Sequence, residues 1–498
     1  MSDSISYTWL LTALFLPWLT GAIWLRYFFR HSNNWNWPFI LGYGNLIGIV
    51  STTLIIRFLH TAGVQLSFSY LAGIIAIIAL AGLLVLSQSK HLTPSASTFN
   101  TKNSAPHRWQ KIIIGLFITL IFVRYGTMLF EIIWRPLYPW DAWMNWSIKA
   151  KTWFLTAGIS DYISPNTWLS QAENLNAYTL GNWKAWEYPE TVPLIQYWTA
   201  SGIGYWNDSL INLPWLSCAI SFGLAFYGQA RLQSISVLPA TIAVYLLMNL
   251  PYINVHTALG GYADLWLMAT FSMAVFSLAN WQATRDKRHL YLAILLALFC
   301  SLMKLPGIIF TIILIVALML NLTKNKKLLV TISAFIVILA AIIITTGINI
   351  DITGFGKLTI NSKKIATPVL GEYAIRYYST WAPLKQTLFL SLNWNILFLI
   401  FPFLIINSII LRQRIHSSTL ILTILLEVLA LYFFLFFFTS YHYIALDQTT
   451  LNRVIIYTIP VFLWYLLHAS QNTTQNKPLP KNPATSRISR HRERGFIM

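Results

Sequence analysis

The chain has 498 residues, 56% hydrophobic and only 10% charged, against about 25% charged in a typical soluble protein; with a mean hydropathy of +0.59 it reads as a polytopic membrane protein. Its net charge of +19 raises the question of nucleic acid, but Lys and Arg gather in short clusters between apolar runs, as the positive-inside rule requires, and no nucleic-acid partner is expected. Cys218 and Cys300 lie alone in apolar runs, which argues against a disulfide framework or a cysteine zinc site.

In chain order, apolar runs near 7–28, 38–59 and 67–88 are each long enough to cross about 30 Å of hydrocarbon. The first lacks the leader pattern of a signal peptide and is expected to be retained. The stretch 89–110 is polar and basic, hence cytoplasmic, and a fourth span at 111–130 runs outward. Further spans are expected at 211–230, 236–256, 261–281, 290–303, 306–322, 328–350, 387–408, 418–438 and 453–469. Basic connections Arg285–Arg288, Lys324–Lys327 and Arg412–Arg414, and the tail from Lys477 to Arg494, fix the cytoplasmic side. By this parity Gly260–Asp264, the Lys304–Pro306 corner, 351–386 and Tyr441–Arg453 share the outer side with the loop 131–206. The run 191–206 has no parity left for a full crossing and is expected to form a short re-entrant or interfacial helix. The outer segment 351–386 is mixed polar, a possible lid over the first loop.

The loop concentrates chemistry. Seven of the fifteen acidic residues fall between Glu131 and Asp208, and ten of the twenty-two tryptophans between Trp134 and Trp206, so a site is sought there. On a helical wheel, Asp141, Asn145, Lys149 and Thr152 share one face, and Trp143, Trp146, Ala150, Trp153 and Phe154 the other. This predicts an amphipathic interfacial helix with its polar face toward water. Asp141, a carboxylate between tryptophans, suits a general base; the competing reading is a helix cap or an ion pair with Lys149. Glu187-Tyr188-Pro-Glu190-Thr-Val-Pro193 holds two carboxylates in a proline-stiffened loop, or is an ordinary helix start. Asp264 opens an apolar span, where an ionisable group leans toward function or caps the helix. Lys304 and Arg453 stand at outer helix ends, placed to meet a phosphate or to snorkel. His442 reads as a packed interfacial residue. Gly42, Gly44 and Gly48 lie inside an apolar span with no strand before them and read as helix packing. Walker, zinc-protease and serine-hydrolase motifs are absent from the sequence.

In order and spacing these pieces resemble the polytopic GT-C glycosyltransferases that use polyprenyl-phosphate sugars, such as the protein O-mannosyltransferases and the aminoarabinose transferases of lipid A. The likeness rests on Pro139-Trp-Asp141-Ala-Trp-Met-Asn-Trp-Ser-Ile-Lys149-Ala-Lys151, Tyr188-Pro189 through Pro193-Leu194, Gly261-Tyr-Ala-Asp264, Lys304 to Gly307 and Thr450 to Arg453, over about 131–460. Two departures stand out. The family's loop often carries two adjacent acids, whereas Ala142 follows Asp141; its corner commonly has an acid before Gly, whereas Pro306 stands here.

The resemblance implies an all-α membrane fold of about 12–14 helices: added helices and a linker over 1–110, a catalytic core over 111–322, C-terminal helices over 323–470 and a basic tail over 471–498. It implies transfer of a sugar from a polyprenyl-phosphate donor to a glycan, lipid or protein acceptor on the outer face of a bacterial inner membrane. Asp141 would be the base. Arg453 and Lys304 would hold phosphate, Asp264, Glu187, Tyr188 and Glu190 would orient sugar or acceptor, and Trp143, Lys149 and Lys151 would contact substrate. No cofactor is certain, and a divalent metal is left open. The rival reading is a transporter or lipid flippase with Asp264, Lys304 and Glu427 along a pathway; a second alternative is an O-antigen polymerase or ligase.

Overall fold

The computed structural model describes residues 2–89, 106–170, 177–182, 185–323, 338, 342, 345–352, 356–367, 371–410 and 419–475. The expected linker, the span from 328 to about 347, the clusters Lys324–Lys327 and Arg412–Arg414 and the basic tail fall wholly or largely outside them.

The protein is mostly helical. Helices α1 (Ser2–Phe28), α2 (Trp37–Thr61), α3 (Phe68–Gln88) and α4 (Arg108–Trp134) lead to α5 (Ser147–Leu155), a two-stranded pair β1 (Asp161–Tyr162) and β2 (Ala177–Tyr178) flanking α6 (Pro165–Ser170), and α7 (Thr191–Ile203). Then follow α8 (Leu213–Leu232), α9 (Val237–Met248), α10 (Pro251–Ala258), α11 (Asp264–Thr284), α12 (Lys287–Met303) and α13 (Gly307–Leu322). An antiparallel meander, β3 (Ile348–Ile352), β4 (Gly356–Ile360), β5 (Lys364–Thr367) and β6 (Gly371–Ala374), precedes α14 (Trp381–Lys385), α15 (Leu397–Ile410), α16 (Thr419–Phe438), α17 (His442–Leu446), α18 (Gln448–Ile455) and α19 (Ile459–Gln475).

Among the described residues six helices are long and apolar enough to cross a membrane, or eight if each of two bent pairs, α9–α10 at 64° and α18–α19 at 47°, counts as one span. The chain is compatible with an integral multi-pass membrane protein, with fewer qualifying spans among the described residues than the 12–14 expected of the whole chain. Run 387–408 is not one helix: a π-helical turn at Gln386–Leu390 ends before α15 begins at Leu397. Residues 348–350 are strand.

Helix α11 is enclosed by its neighbours. Every residue from Asp264 to Trp281 is buried, beneath α8, α10, α12, α13, α16 and α19, so its polar side chains meet protein instead of lipid. Near its far end Tyr43 donates to the Met273 carbonyl at 2.7 Å, Gln229 donates to Tyr43 at 2.8 Å, and Asn280 donates to Gln229 at 2.9 Å. The Gly42–Gly48 run is helix packing, as expected. A Cβ on Gly48 would lie 1.8 Å from the Pro17 carbonyl oxygen, and one on Gly42 within 2.3 Å of the Ala225 backbone.

Helix α7 spans 13 residues, about 20 Å at 1.5 Å per residue, too short for the hydrocarbon core, and is buried along nearly its whole length. The amphipathic prediction needs correction. Ala142–Trp146 is a π-helical turn that runs into α5, and the supposedly wet face is covered: Asn145 and Lys149 are each 1% exposed, while Trp143 is 44% exposed. Segment 351–386, expected on the outer side, holds most of the meander. It is joined to the end of α16 by Arg376 and Tyr378, whose backbone amides donate to the carbonyls of Phe438 and Phe437 at 2.9 and 2.8 Å.

Candidate active site

Four residues far apart in sequence meet at one end of the bundle. Asp264 opens α11, where an acid suits the positive helix N-terminus. Lys304 stands at the corner between α12 and α13, and Arg453 on α18, just before the bend into α19. Asp141 begins the π-helical turn, whose backbone puts Asn145 beside it.

Arg453 is the hub. Its Nε and Nη2 donate to Asp264 Oδ2 at 3.0 and 2.8 Å, and Nη2 also donates to Asp141 Oδ2 at 2.5 Å. Lys304 Nζ donates to Asp264 Oδ1 at 2.8 Å and to the Tyr457 hydroxyl at 3.3 Å. Tyr457 in turn donates to Asp264 Oδ1, and Asn145 donates to Asp141 Oδ1. Asn182 donates to Asn145 at 2.7 Å, and the guanidinium carbon of Arg453 lies 4.5 Å from the centre of the Tyr262 ring. Burial pulls the Lys304 ammonium below its ordinary range, and Asp264 opposes that pull.

Exposure divides the network into two ends. The Asp264 side chain is 0% exposed, whereas Asp141, Lys304 and Arg453 keep 14%, 15% and 17%. Asp264 and Tyr457 therefore form the buried floor, and the other three are partly exposed. Two carboxylates and two cations balance formally, and Asp141 is the more exposed of the two carboxylates.

Two glycines set the approach of these segments. Gly261 has φ +99°, and a Cβ there would lie 2.7 Å from the Ala142 Cβ and 2.9 Å from Leu137. Ala142 is fully buried against it, which explains why this position has no room for a second acid. At the Lys304 corner a Cβ on Gly307 would lie 1.8 Å from the Cys300 carbonyl oxygen.

Lys149 is not the partner of Asp141. It is buried and donates to the carbonyls of Trp186 and Tyr188 at 3.1 and 3.2 Å. Burial pushes its ammonium down to about 8, with the Glu190 carboxylate opposing. Glu190 is pushed up by burial and opposed by Arg57, which it meets at 2.7 Å. Tyr188 stacks on Trp146 at 4.9 Å, and its hydroxyl is pushed up to about 12 by burial first and then by Asp141. Lys149 thus holds the loop whose Tyr188 borders the network. Of the other expected contacts, Glu187 is exposed, Lys151 lies 5.8 Å from the Trp206 ring centre, and Trp143 faces outward; none belongs to the Arg453 network.

The sequence reading did not single out Tyr457, Tyr262 or His256. Tyr457 lies one helical turn after Arg453, the spacing that also joins Asp141 to Asn145, so i+4 periodicity offered a signal. His256 is buried between the rings of Tyr252 and Tyr262, at 4.6 and 5.2 Å, with Nδ1 on the Tyr252 carbonyl at 3.0 Å. Among the described residues no cluster of three or more His, Cys, Asp or Glu could hold a metal. Arg453 bridges the two carboxylates that come together, an arrangement that does not fit the metal centre left open by the sequence. Compared with protein-family models, with curated proteins and with solved structures, the chain matches none.

Proposed function

We propose that this chain is a membrane glycosyltransferase that moves a sugar from a polyprenyl-phosphate donor to an acceptor hydroxyl on the outer face of a bacterial inner membrane. The observation that carries the reading is Arg453, held by a buried acid and shared with a more exposed one. A sugar on a lipid phosphate already has a stabilised leaving group, so the protein must supply positioned cations and an acceptor base.

The phosphate docks against Arg453 and Lys304, exchanging with Asp141. Arginine suits this role because its planar fork grips phosphate oxygens while Asp264 keeps hold of Nε. Asp141, released toward solvent, takes the proton of the acceptor hydroxyl as that oxygen bonds to the anomeric carbon. The anomeric carbon–oxygen bond breaks, and its electron pair leaves with the polyprenyl phosphate. Tyr188 borders the reacting groups.

The test is transfer from radiolabelled polyprenyl-phosphate sugars to endogenous acceptors, in membranes holding either the wild type or a correctly inserted Asp141→Asn. Transfer by the wild type alone supports the reading. Equal transfer removes Asp141 from the mechanism, and no transfer by either, with donors and acceptors competent for a control enzyme, removes the reading. A second reading, a transporter or flippase, draws on Glu427 in the middle of α16, both of whose carboxylate oxygens are buried without a hydrogen-bond partner among the described residues.

A further inference from the structure

Arg124 lies in the middle of α4, a helix of 27 residues that is long and apolar enough to cross a membrane. It stands ten residues before Trp134 and twelve after Ile112, roughly 15 and 18 Å along the axis at 1.5 Å per residue. Either interface is too distant for snorkelling, which serves long side chains near helix ends. Arg124 is half-buried, its Nε is buried with no hydrogen-bond partner, and its guanidinium makes no hydrogen bond or ion pair with any described residue.

Among the described residues nothing answers its charge. Glu131, two turns on along the same face, is taken by Arg135 at 3.3 Å. Glu427, the acid in the middle of α16, has both oxygens buried without a hydrogen-bond partner among the described residues. It therefore neither pairs with Arg124 nor shows a carboxylate to a second copy of the chain. The apolar run 328–347 contains no Asp or Glu.

Around Arg124 the helix is open. Of the residues of α4 only Met128 and Ile132 are buried. On the Arg124 flank, starting one turn nearer to the Asp141 turn, Thr127, Phe130, Glu131, Trp134, Arg135 and Pro136 line a groove of about 490 Å³. Phe130 and Trp134 are 53% and 77% exposed.

An ionisable group at mid-membrane is costly to keep, and such groups meet an opposite charge or a polar cavity. Depth decides which anion this one can meet. Lipid phosphates sit at the headgroup level, where tryptophans such as Trp134 settle, about 15 Å from Arg124 by the same rise per residue. A carboxylate halfway along a neighbouring membrane helix stands at the depth of Arg124, and its two oxygens match the guanidinium fork. The groove gives the rest of such a helix room to approach.

We propose that the Arg124 flank of α4 docks a membrane-spanning helix of a partner protein, one that carries an aspartate or glutamate near the middle of its span. The carboxylate pairs with Arg124, and apolar residues of the partner helix pack against Phe130 and Trp134. This stands apart from the sugar-transfer reading.

The first arm reconstitutes the full chain in nanodiscs with a leucine-rich membrane-spanning peptide that carries one central Asp. A photoreactive amino acid replaces either Thr127, in the groove, or Phe122, which is 72% exposed and about 140° round the helix from Thr127 at roughly 100° per residue. Capture from the Thr127 position is expected to exceed capture from the Phe122 position at least tenfold, and to exceed capture of the same peptide with central Leu at least tenfold. Arg124→Leu, which only takes a charge out of an apolar span, abolishes the preference for the Asp peptide, and Arg124→Lys keeps it. Absence of the preference, its survival in Arg124→Leu, or equal capture from the two positions overturns the proposal.

The second arm uses the photoreactive residue at the Thr127 position in the native membrane. A captured protein supports the proposal when replacing an Asp or Glu in the middle of its span by Leu prevents capture. A captured protein that lacks such an acid or does not need it, or capture of lipid alone, overturns it.

Discussion

Arg453 places two nitrogens on one oxygen of Asp264, Nε at 3.0 Å and Nη2 at 2.8 Å, leaving the other oxygen to Lys304 and Tyr457. Removing the Asp264 charge leaves two cations facing each other in a buried place, a loss of about 3–5 kcal/mol by the usual cost of breaking a buried pair. Asp264→Asn is expected to lower the thermal midpoint in detergent by several degrees and to reduce the yield of inserted protein. Asp264→Leu combined with Lys304→Met removes one charge of each sign and is expected to regain part of that loss. A double variant no more stable than Asp264→Leu alone would show that the charges do not set the stability of this corner.

Arginine at 453 serves both carboxylates through a fork that a lysine lacks. In the proposed reaction Arg453→Lys keeps the charge but loses the paired grip, and kcat/KM for the donor is expected to fall at least tenfold, about 1.4 kcal/mol of barrier. A variant with wild-type kcat/KM would remove Arg453 from phosphate recognition.

Gly261 is the contact through which the Asp264 segment reaches the Asp141 turn. Gly261→Ala meets both the left-handed backbone angle and the Ala142 methyl, so it is expected to destabilise the protein by about 1–3 kcal/mol and to separate the carboxylates that Arg453 bridges. Cysteine cross-linking between the two loops, introduced at exposed neighbours Tyr138 and Trp140 against a site on α10, would report that separation as a slower bridge. An unchanged cross-linking rate and stability would count against the close approach.

Lys149 gives a pH signature. Its ammonium is pushed down to about 8 in the fold from 10.5, so between these values the unfolded chain binds more protons, and stability rises with pH. The penalty of the buried charge is complete below about 8 and disappears as pH passes 10.5. Lys149→Met removes this titration; the thermal midpoint of the wild type is therefore expected to gain on that of the variant from pH 8 to pH 10. Parallel profiles would mean that Lys149 is not held charged against burial.

The partners of Arg453 were legible because charge is scarce in this chain. With 15 acidic residues in 498, each stands out, and basic clusters fix which loops share a side; Asp141, Asp264, Lys304 and Arg453 fall out of that parity and do meet. Tyr457 and Tyr262 were hidden among 24 tyrosines. The wheel misjudged Asn145 and Lys149 because one helix carries no information about what packs on it: Asn182 meets Asn145, and the carbonyls of Trp186 and Tyr188 meet Lys149, on the face that looked wet. In the meander a signal existed, since Ile348, Ile350 and Ile352 alternate with Asn349 and Asp351 as a strand requires, but a neighbouring apolar run drew its first residues into a span.

The hydrogen bond from Arg453 to Asp141 joins residues 312 positions apart. During synthesis the Asp141 turn emerges long before its counter-charge exists, and the buried acid of α11 has Lys304 well before the same arginine arrives. Truncation between α16 and α18 would therefore yield a chain with most of its helices, in which Asp141 lacks its cation and Asp264 keeps one of its two. Arrival of the last helices would neutralise Asp141 and close the network, so its assembly waits until nearly the whole chain has been made.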